Sequence, residues 1–251
     1  MNHFTDVKIF QAWRKDLKDS TVGFVPTMGA LHKGHLEVIK ESQKNCSKTI
    51  VSIFVNPTQF NNPEDLEKYP SDLKKDLGLL AELNVDAVFT PQTGDMYPQG
   101  ETIKITESEI SKGLCGRFRP GHFEGVMTVV MKLFQLVQPH KAYFGEKDYQ
   151  QLLIIQKMAR EFFLDLEVVA VPTVREESGL ALSSRNVRLS PEDRNKAALI
   201  YRFLTTPSTS HEVKANLEGN GFKVDYVEDL YGRRFVAAWL SNIRLIDNVP
   251  L

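Results

Sequence analysis

Short apolar runs rich in β-branched residues alternate with segments of helical periodicity over the first two-thirds of this chain. The spacing predicts strands over 22–25, 49–55, 86–89, 142–144 and 166–171. Between them it predicts helices over 6–18, 36–44, 63–83, 123–137 and 149–163. A break is expected near Tyr69-Pro70, because a residue before proline resists the α region. The helix over 123–137 has apolar residues at 123, 126, 127, 130, 133, 134 and 137, one broad face for a core. Strands separated by helices need crossover connections, and these favour a parallel sheet covered on both faces.

The fold class expected is therefore α/β, a Rossmann-like doubly wound parallel sheet. Past Pro172 the pattern changes to a polar loop, a helix over 191–203, a Thr/Ser/Pro linker over 204–211 and a mixed segment over 222–245. This predicts a domain over 1–172 and a smaller α+β unit over 173–251 that acts as a lid. Ligands on doubly wound sheets bind beyond the carboxyl ends of the strands. His32, Asn56, Gly145 and Lys147 all fall just past expected strands.

The loop PTMGALHKGH, from Pro26 to His35, joins the first of these strands to its helix. Strand, glycine turn and helix N-terminus together form an anion site, with amides and helix dipole aimed at the ligand. His32 and His35 flank Gly34 and add donors for the same charge; the alternative is a surface loop with two solvated histidines. Three other clusters sit at element ends. Asn56-Pro57-Thr58-Gln59-Phe60 offers amides suited to a neutral hydroxyl-bearing ligand, or simply a capped turn. Gly145-Glu146-Lys147-Asp148 puts a lysine at a helix start, which is unfavourable unless an anion faces it. Asp148 could hold a ribose hydroxyl or serve only as a cap. Ser183-Ser184-Arg185-Asn186 combines hydroxyls and a guanidinium, suited to a phosphate or equally to a solvated loop. In RFRPGHFEG, Arg119 or His122 could bind a carboxylate, or His122 could cap the helix. Asp72 and Asp76 share a helical face, and solvation is the simpler reading for such a pair.

Several classes are excluded or disfavoured. A formal net charge of −1 gives no general attraction to nucleic acid or anionic membrane. No run is long and apolar enough to span a bilayer, and 1–6 lack the pattern of a signal peptide. Cys46 and Cys115 lack metal-ligand spacing and read as reduced thiols of a cytoplasmic protein. There is no P-loop motif and no zinc pattern.

Taken in order, VPTMGALHKGH, FVNPTQF, EDLEKYP, LCGRFRPGHFEGVMTVV, FGEKDYQQL, VPTVRE, GLALSSRN and RLIDN resemble the pantoate–β-alanine ligases. These belong to the nucleotidyltransferases with the HIGH-type signature. The resemblance implies condensation of pantoate with β-alanine, driven by ATP through a pantoyl adenylate, giving pantothenate, AMP and pyrophosphate, with Mg²⁺ as cofactor. It implies that His32, His35, Lys147 and Arg185 act on the phosphates, joined by Ser183 and Ser184. Met28 would line the nucleotide and pantoate pocket, and Gly145 and Asp148 would hold the ribose. Gln59, Gln151 and Asn56 would bind pantoate, with Arg119 and His122 near pantoate and β-alanine. Asp76 matches an acidic position associated with Mg²⁺. A homodimer is also implied. Two departures are expected to matter: Ser71 stands where the family often has Arg, and the region after Leu204 is short, which would trim the lid. The competing readings are a related nucleotidyltransferase with another acceptor and a non-catalytic ATP-binding remnant.

Overall fold

The apolar runs form a six-stranded sheet in the computed structural model, which describes residues 1–251. Its strands are β1 (Asn2–Phe4), β2 (Val22–Thr27), β3 (Lys48–Ile53), β4 (Ala87–Phe89), β5 (Lys141–Gly145) and β6 (Glu167–Val171). The order is β1-β4-β3-β2-β5-β6, and every pairing is parallel. The chain moves outward from β2 through β3 to β4, then returns to lay β5 on the other side of β2. That reversal is the topological switch point, where doubly wound sheets bind ligands.

Alternate side chains of each strand enter opposite layers, as the period of two requires. Phe24 and Ile50 join a core with helices Val7–Lys15, His122–Val137 and Tyr149–Glu161. Val25, Val51 and Val88 pack on the other face against helices Lys33–Asn45 and Leu73–Glu82. Both faces are covered, so the strands read as continuous apolar runs. Phe24 is completely buried; its truncation to Ala would cost about 3–5 kcal/mol.

The end of the chain is more regular than a mixed segment. β7 (Lys223–Leu230), β8 (Arg233–Leu240) and β9 (Ile243–Pro250) form an antiparallel sheet. Tyr231 and Gly232, at φ 52° and 71°, make the left-handed turn that matches strand twist in a hairpin. One face of this sheet, with Val236 and Ala238, packs on Leu180 and on the C-terminal helices through Ile200, Leu204, Val213 and Leu217. Tyr226, Phe235 and Ala237 on the other face join the core of the first sheet.

Other differences are local. The segment over 63–83 splits into Pro63–Glu67 and Leu73–Glu82 around Pro70, and that over 191–203 into Pro191–Ala197 and Leu199–Thr205. A helix, Ser210–Gly219, begins at the end of the expected linker and fills a stretch left unassigned, and β1 adds an edge strand beside β4. No helix is long and apolar enough to cross a membrane.

Candidate active site

The two strands at the switch point stay paired only at Gly23–Lys141 and Phe24–Ala142. Beyond those residues they part, and Pro26 has no N–H with which to continue the ladder. A cavity of about 250 Å³ lies there, lined by the ends of both strands and the loops that follow them. Each residue singled out for the site, except Asp76, lines this one cavity.

His32 and His35 sit at the start of helix Lys33–Asn45. His32 is the N-cap, and its Nδ1 accepts from the Gly34 amide at 3.1 Å. His35 lies one turn in, and its Nδ1 accepts from the His32 amide at 3.3 Å. A ring nitrogen that accepts an amide proton carries none of its own. The neutral rings therefore hold their protons on Nε2, leaving that edge to donate to a ligand. The ring centroids are 4.0 Å apart. Burial, with Lys147 nearby, pushes the His32 pKa down to about 4. Burial, with His32 and Lys147 adjacent, pushes His35 down to about 3. Both are thus uncharged donors at neutral pH.

Lys147 approaches from the turn after β5, its side chain only 19% exposed. The nearest carboxylate, Asp148, is 3.8 Å away, too far for a hydrogen bond. Glu146 is taken up by Arg233 at 3.4 Å. Asn248 on β9 donates to the carbonyls of Glu146 and Lys147 at 2.9 and 3.0 Å and fixes the turn. A half-buried ammonium held this way calls for an anion. Ser183, Ser184 and Arg185 line the same cavity from the polar loop. Ser183 caps the short turn Ser184–Arg188 by accepting from the Arg185 amide, and Ser184 pairs with the Tyr69 hydroxyl at 3.2 Å.

The other end of the cavity is built around Gln59. Helix His122–Val137 meets the turn Pro57–Gln59 at Gly125, where a Cβ would fall 2.6 Å from the Thr58 carbonyl oxygen. His122 Nδ1 donates to the Gln59 carbonyl at 2.8 Å, and its Nε2 accepts from Arg119 at 3.0 Å. Burial, together with Arg119, holds the His122 pKa at about 3. Arg119 also donates to the Gln59 carbonyl, at 3.2 Å. These bonds pair a largely buried guanidinium with neutral groups, which suits it to a carboxylate ligand. Gln59 reaches the Met28 sulfur at 3.1 Å, and Gln151 lines the same space from helix Tyr149–Glu161.

Two of the expected ligands are bonded to the protein itself. Asn56 is 1% exposed, and its Nδ2 donates to Gln59 Oε1 and the Gly125 carbonyl. Its Oδ1 accepts from the Tyr97 hydroxyl at 2.8 Å, so Asn56 holds Gln59 in place at the cavity wall. Asp76 is 2% exposed, and both its oxygens accept backbone amides, of Ala30 and Leu31. It lies behind the histidine loop, committed to that backbone rather than to a metal. Residues given no role in the sequence reading also line the cavity, among them Tyr69, Thr173 and Val174. All three fell within recognised blocks, but nothing in their type marked them.

A sequence model described as pantoate-beta-alanine ligase matches residues 2–250. The chain belongs to the pantoate–β-alanine ligase family. It is 58% identical to the pantothenate synthetase of Bdellovibrio bacteriovorus, covering 96% of each chain. It is 47% identical to that of Legionella pneumophila, covering 93% of this chain and 92% of the relative. A crystal structure of pantoate-beta-alanine ligase from Francisella tularensis, complexed with beta-gamma ATP and beta-alanine, superposes with a TM-score of 0.96. That protein is 43% identical, with 100% of this chain and 97% of that one covered. Pantothenate synthetase from Thermus thermophilus gives a TM-score of 0.91 at 42% identity, covering 100% and 99%. The chain thus spans nearly the whole length of each of these relatives.

Proposed function

We propose that this chain joins pantoate to β-alanine at the cost of ATP, releasing AMP and pyrophosphate. The observation that carries this reading is the division of one cavity into two chemically distinct ends. Lys147, the histidine Nε2–H groups and the Ser183–Arg185 loop supply donors and positive charge for phosphates. Gln59, Gln151 and Arg119 supply amides and a guanidinium for a small hydroxy acid.

The pantoate carboxylate oxygen attacks the α-phosphorus, and the bond from that phosphorus to the bridging oxygen breaks. Pyrophosphate leaves, its developing charge met by Lys147, Arg185 and the neutral histidine donors. The β-alanine amine then attacks the acyl carbon of the pantoyl adenylate, and AMP departs. Both steps need alignment and fixed charge, not a protein nucleophile. Gly145 and Asp148, which line the cavity beyond β5, hold the ribose in this reading, and Met28 lines the space for nucleotide and pantoate. His122 acts on pantoate through Gln59 and Arg119.

Mg²⁺ belongs in this reading as part of the nucleotide. No group of three His, Cys, Asp or Glu side chains is arranged to hold a metal, and Asp76 is committed to the loop. The residues do not fit a resident cation, whereas Mg²⁺ commonly travels on substrate phosphates. A homodimer, implied by the family resemblance, and a cytoplasmic location, read from the two free cysteines, complete the proposal; sedimentation velocity tests the first.

The decisive experiment is AMP release with each substrate omitted in turn. AMP formation should require both pantoate and β-alanine. Release with a different acceptor would support the alternative nucleotidyltransferase, and ATP binding without turnover would support the remnant.

A further inference from the structure

The loop that carries the histidines turns on two consecutive residues with left-handed backbone, Gly29 at φ 78° and Ala30 at φ 49°. That conformation is natural for glycine but costly for alanine, whose Cβ crowds the carbonyl oxygen. Asp76 grips the amides of the second turn residue and of the one after it: Oδ2 accepts from Ala30 and Oδ1 from Leu31, both at 2.8 Å. Asp76 sits in the first turn of helix Leu73–Glu82, whose N-cap is Asp72. The fit is close on the other side as well. A Cβ on Gly29 would fall 2.9 Å from Asp76 Oδ2 and 3.1 Å from Ile53 Cγ2. His32 follows directly after Leu31, and its ring nitrogens are oriented by the helix start described above.

We infer that Asp76 is a positioning residue for phosphate transfer. Its carboxylate holds the amides of the strained Ala30 and of Leu31, so that His32 and His35 present Nε2–H to the nucleotide. A carboxylate is suited to this because it is acceptor-only, with one oxygen for each amide. The inference rests on the proposed ligase reaction, in which those imidazoles serve the adenylation step and not the amine attack.

The test is Asp76→Asn, which keeps the side-chain shape but turns an NH₂ toward one of the two amides. Hydrogen–deuterium exchange of the ligand-free protein should show the 28–35 segment exchanging faster, with the rest of the sheet unchanged. Pantoate-dependent ATP–pyrophosphate exchange should fall by about 10²-fold, the scale of a 1 Å misplacement. Attack of β-alanine on preformed pantoyl adenylate, and the KM for β-alanine, should hold within about twofold, because that step does not use the loop. Excess Mg²⁺ should not restore the exchange reaction. Rescue by Mg²⁺ would overturn the inference in favour of a cation ligand, and equal loss in both half-reactions would reduce Asp76 to general stability. If Asp76→Asn does not fold, Gly29→Ala perturbs the same contact from the loop side and should give the same split. Wild-type protein without pantoate-dependent exchange would defeat the ligase reading instead, a result separate from the amide protection.

Discussion

Arg185 donates to Asp65 at 2.8 Å, and Arg188 reaches the other oxygen of the same carboxylate at 3.3 Å. The pair joins the helix Pro63–Glu67 to the loop proposed to face the phosphates. Asp65 therefore presents negative charge close to where the triphosphate must lie. Asp65→Asn should tighten binding of a non-hydrolysable ATP analogue by roughly fivefold, about 1 kcal/mol for relieving one partly screened repulsion. Isothermal titration calorimetry measures it. Weaker binding would mean that Asp65 instead holds Arg185 in its working orientation.

Lys147 faces no carboxylate within hydrogen-bond distance, so its charge is reserved for ligand. Lys147→Ala should slow adenylation by about 10²–10³-fold, the loss of one preorganised donor to the developing charge. The reaction of β-alanine with preformed pantoyl adenylate should proceed at nearly the wild-type rate. Single-turnover kinetics of the two half-reactions separate these outcomes.

Gly125 lets a helix touch the Gln59 turn through backbone alone. Gly125→Ala should push that turn outward and raise the KM for pantoate while leaving that for ATP within about twofold. The added methyl should cost about 1–3 kcal/mol of stability, typical of overpacking. Chemical denaturation and initial-rate kinetics together test the pair of effects.

His32, His35 and His122 all have pKa values lowered by burial, to about 4, 3 and 3. In the unfolded chain a histidine titrates near 6.5. Between these values the unfolded state binds more protons, so stability rises with pH. The contribution is complete above about pH 6.5 and is lost as pH falls toward 4 and 3. The thermal midpoint of the ligand-free protein should decline over that window. His122→Asn, which cannot titrate there, should make the decline shallower. An unchanged slope would show that His122 contributes nothing to it.

The parallel sheet and the gathering of the site at one edge were legible because each rests on local pattern. Apolar period marked the strands, and the glycine turn before a helix marked the loop that lines the cavity. What escaped was either too short or non-local. β1 has three residues, fewer than periodicity can register. Helix Ser210–Gly219 was announced by a capping box, Thr209 with Glu212, yet the Ser/Thr/Pro composition before it suggested a linker. The last sheet was blurred because its first turn is Tyr231-Gly232, where Asn-Gly would have been a plainer signal.

Residues that support others were the hardest to assign. Asp76 serves amides 46 and 45 positions earlier in the chain, and Asn56 braces Gln59 while bonding Gly125 across 69. Their chemistry resembles that of ligand-binding groups, since an acid or amide meets a backbone group as readily as a substrate. Only the packing tells which partner each has.

Asn248, near the end of β9, holds the turn that presents Lys147. A ribosome delivers these two residues a hundred positions apart, with Lys147 first. A nascent chain that has already folded its parallel sheet thus carries the histidine loop but lacks the brace on its lysine. Catalytic competence arrives only with the final strand, so an interrupted translation product should hold nucleotide loosely and release little activated acid.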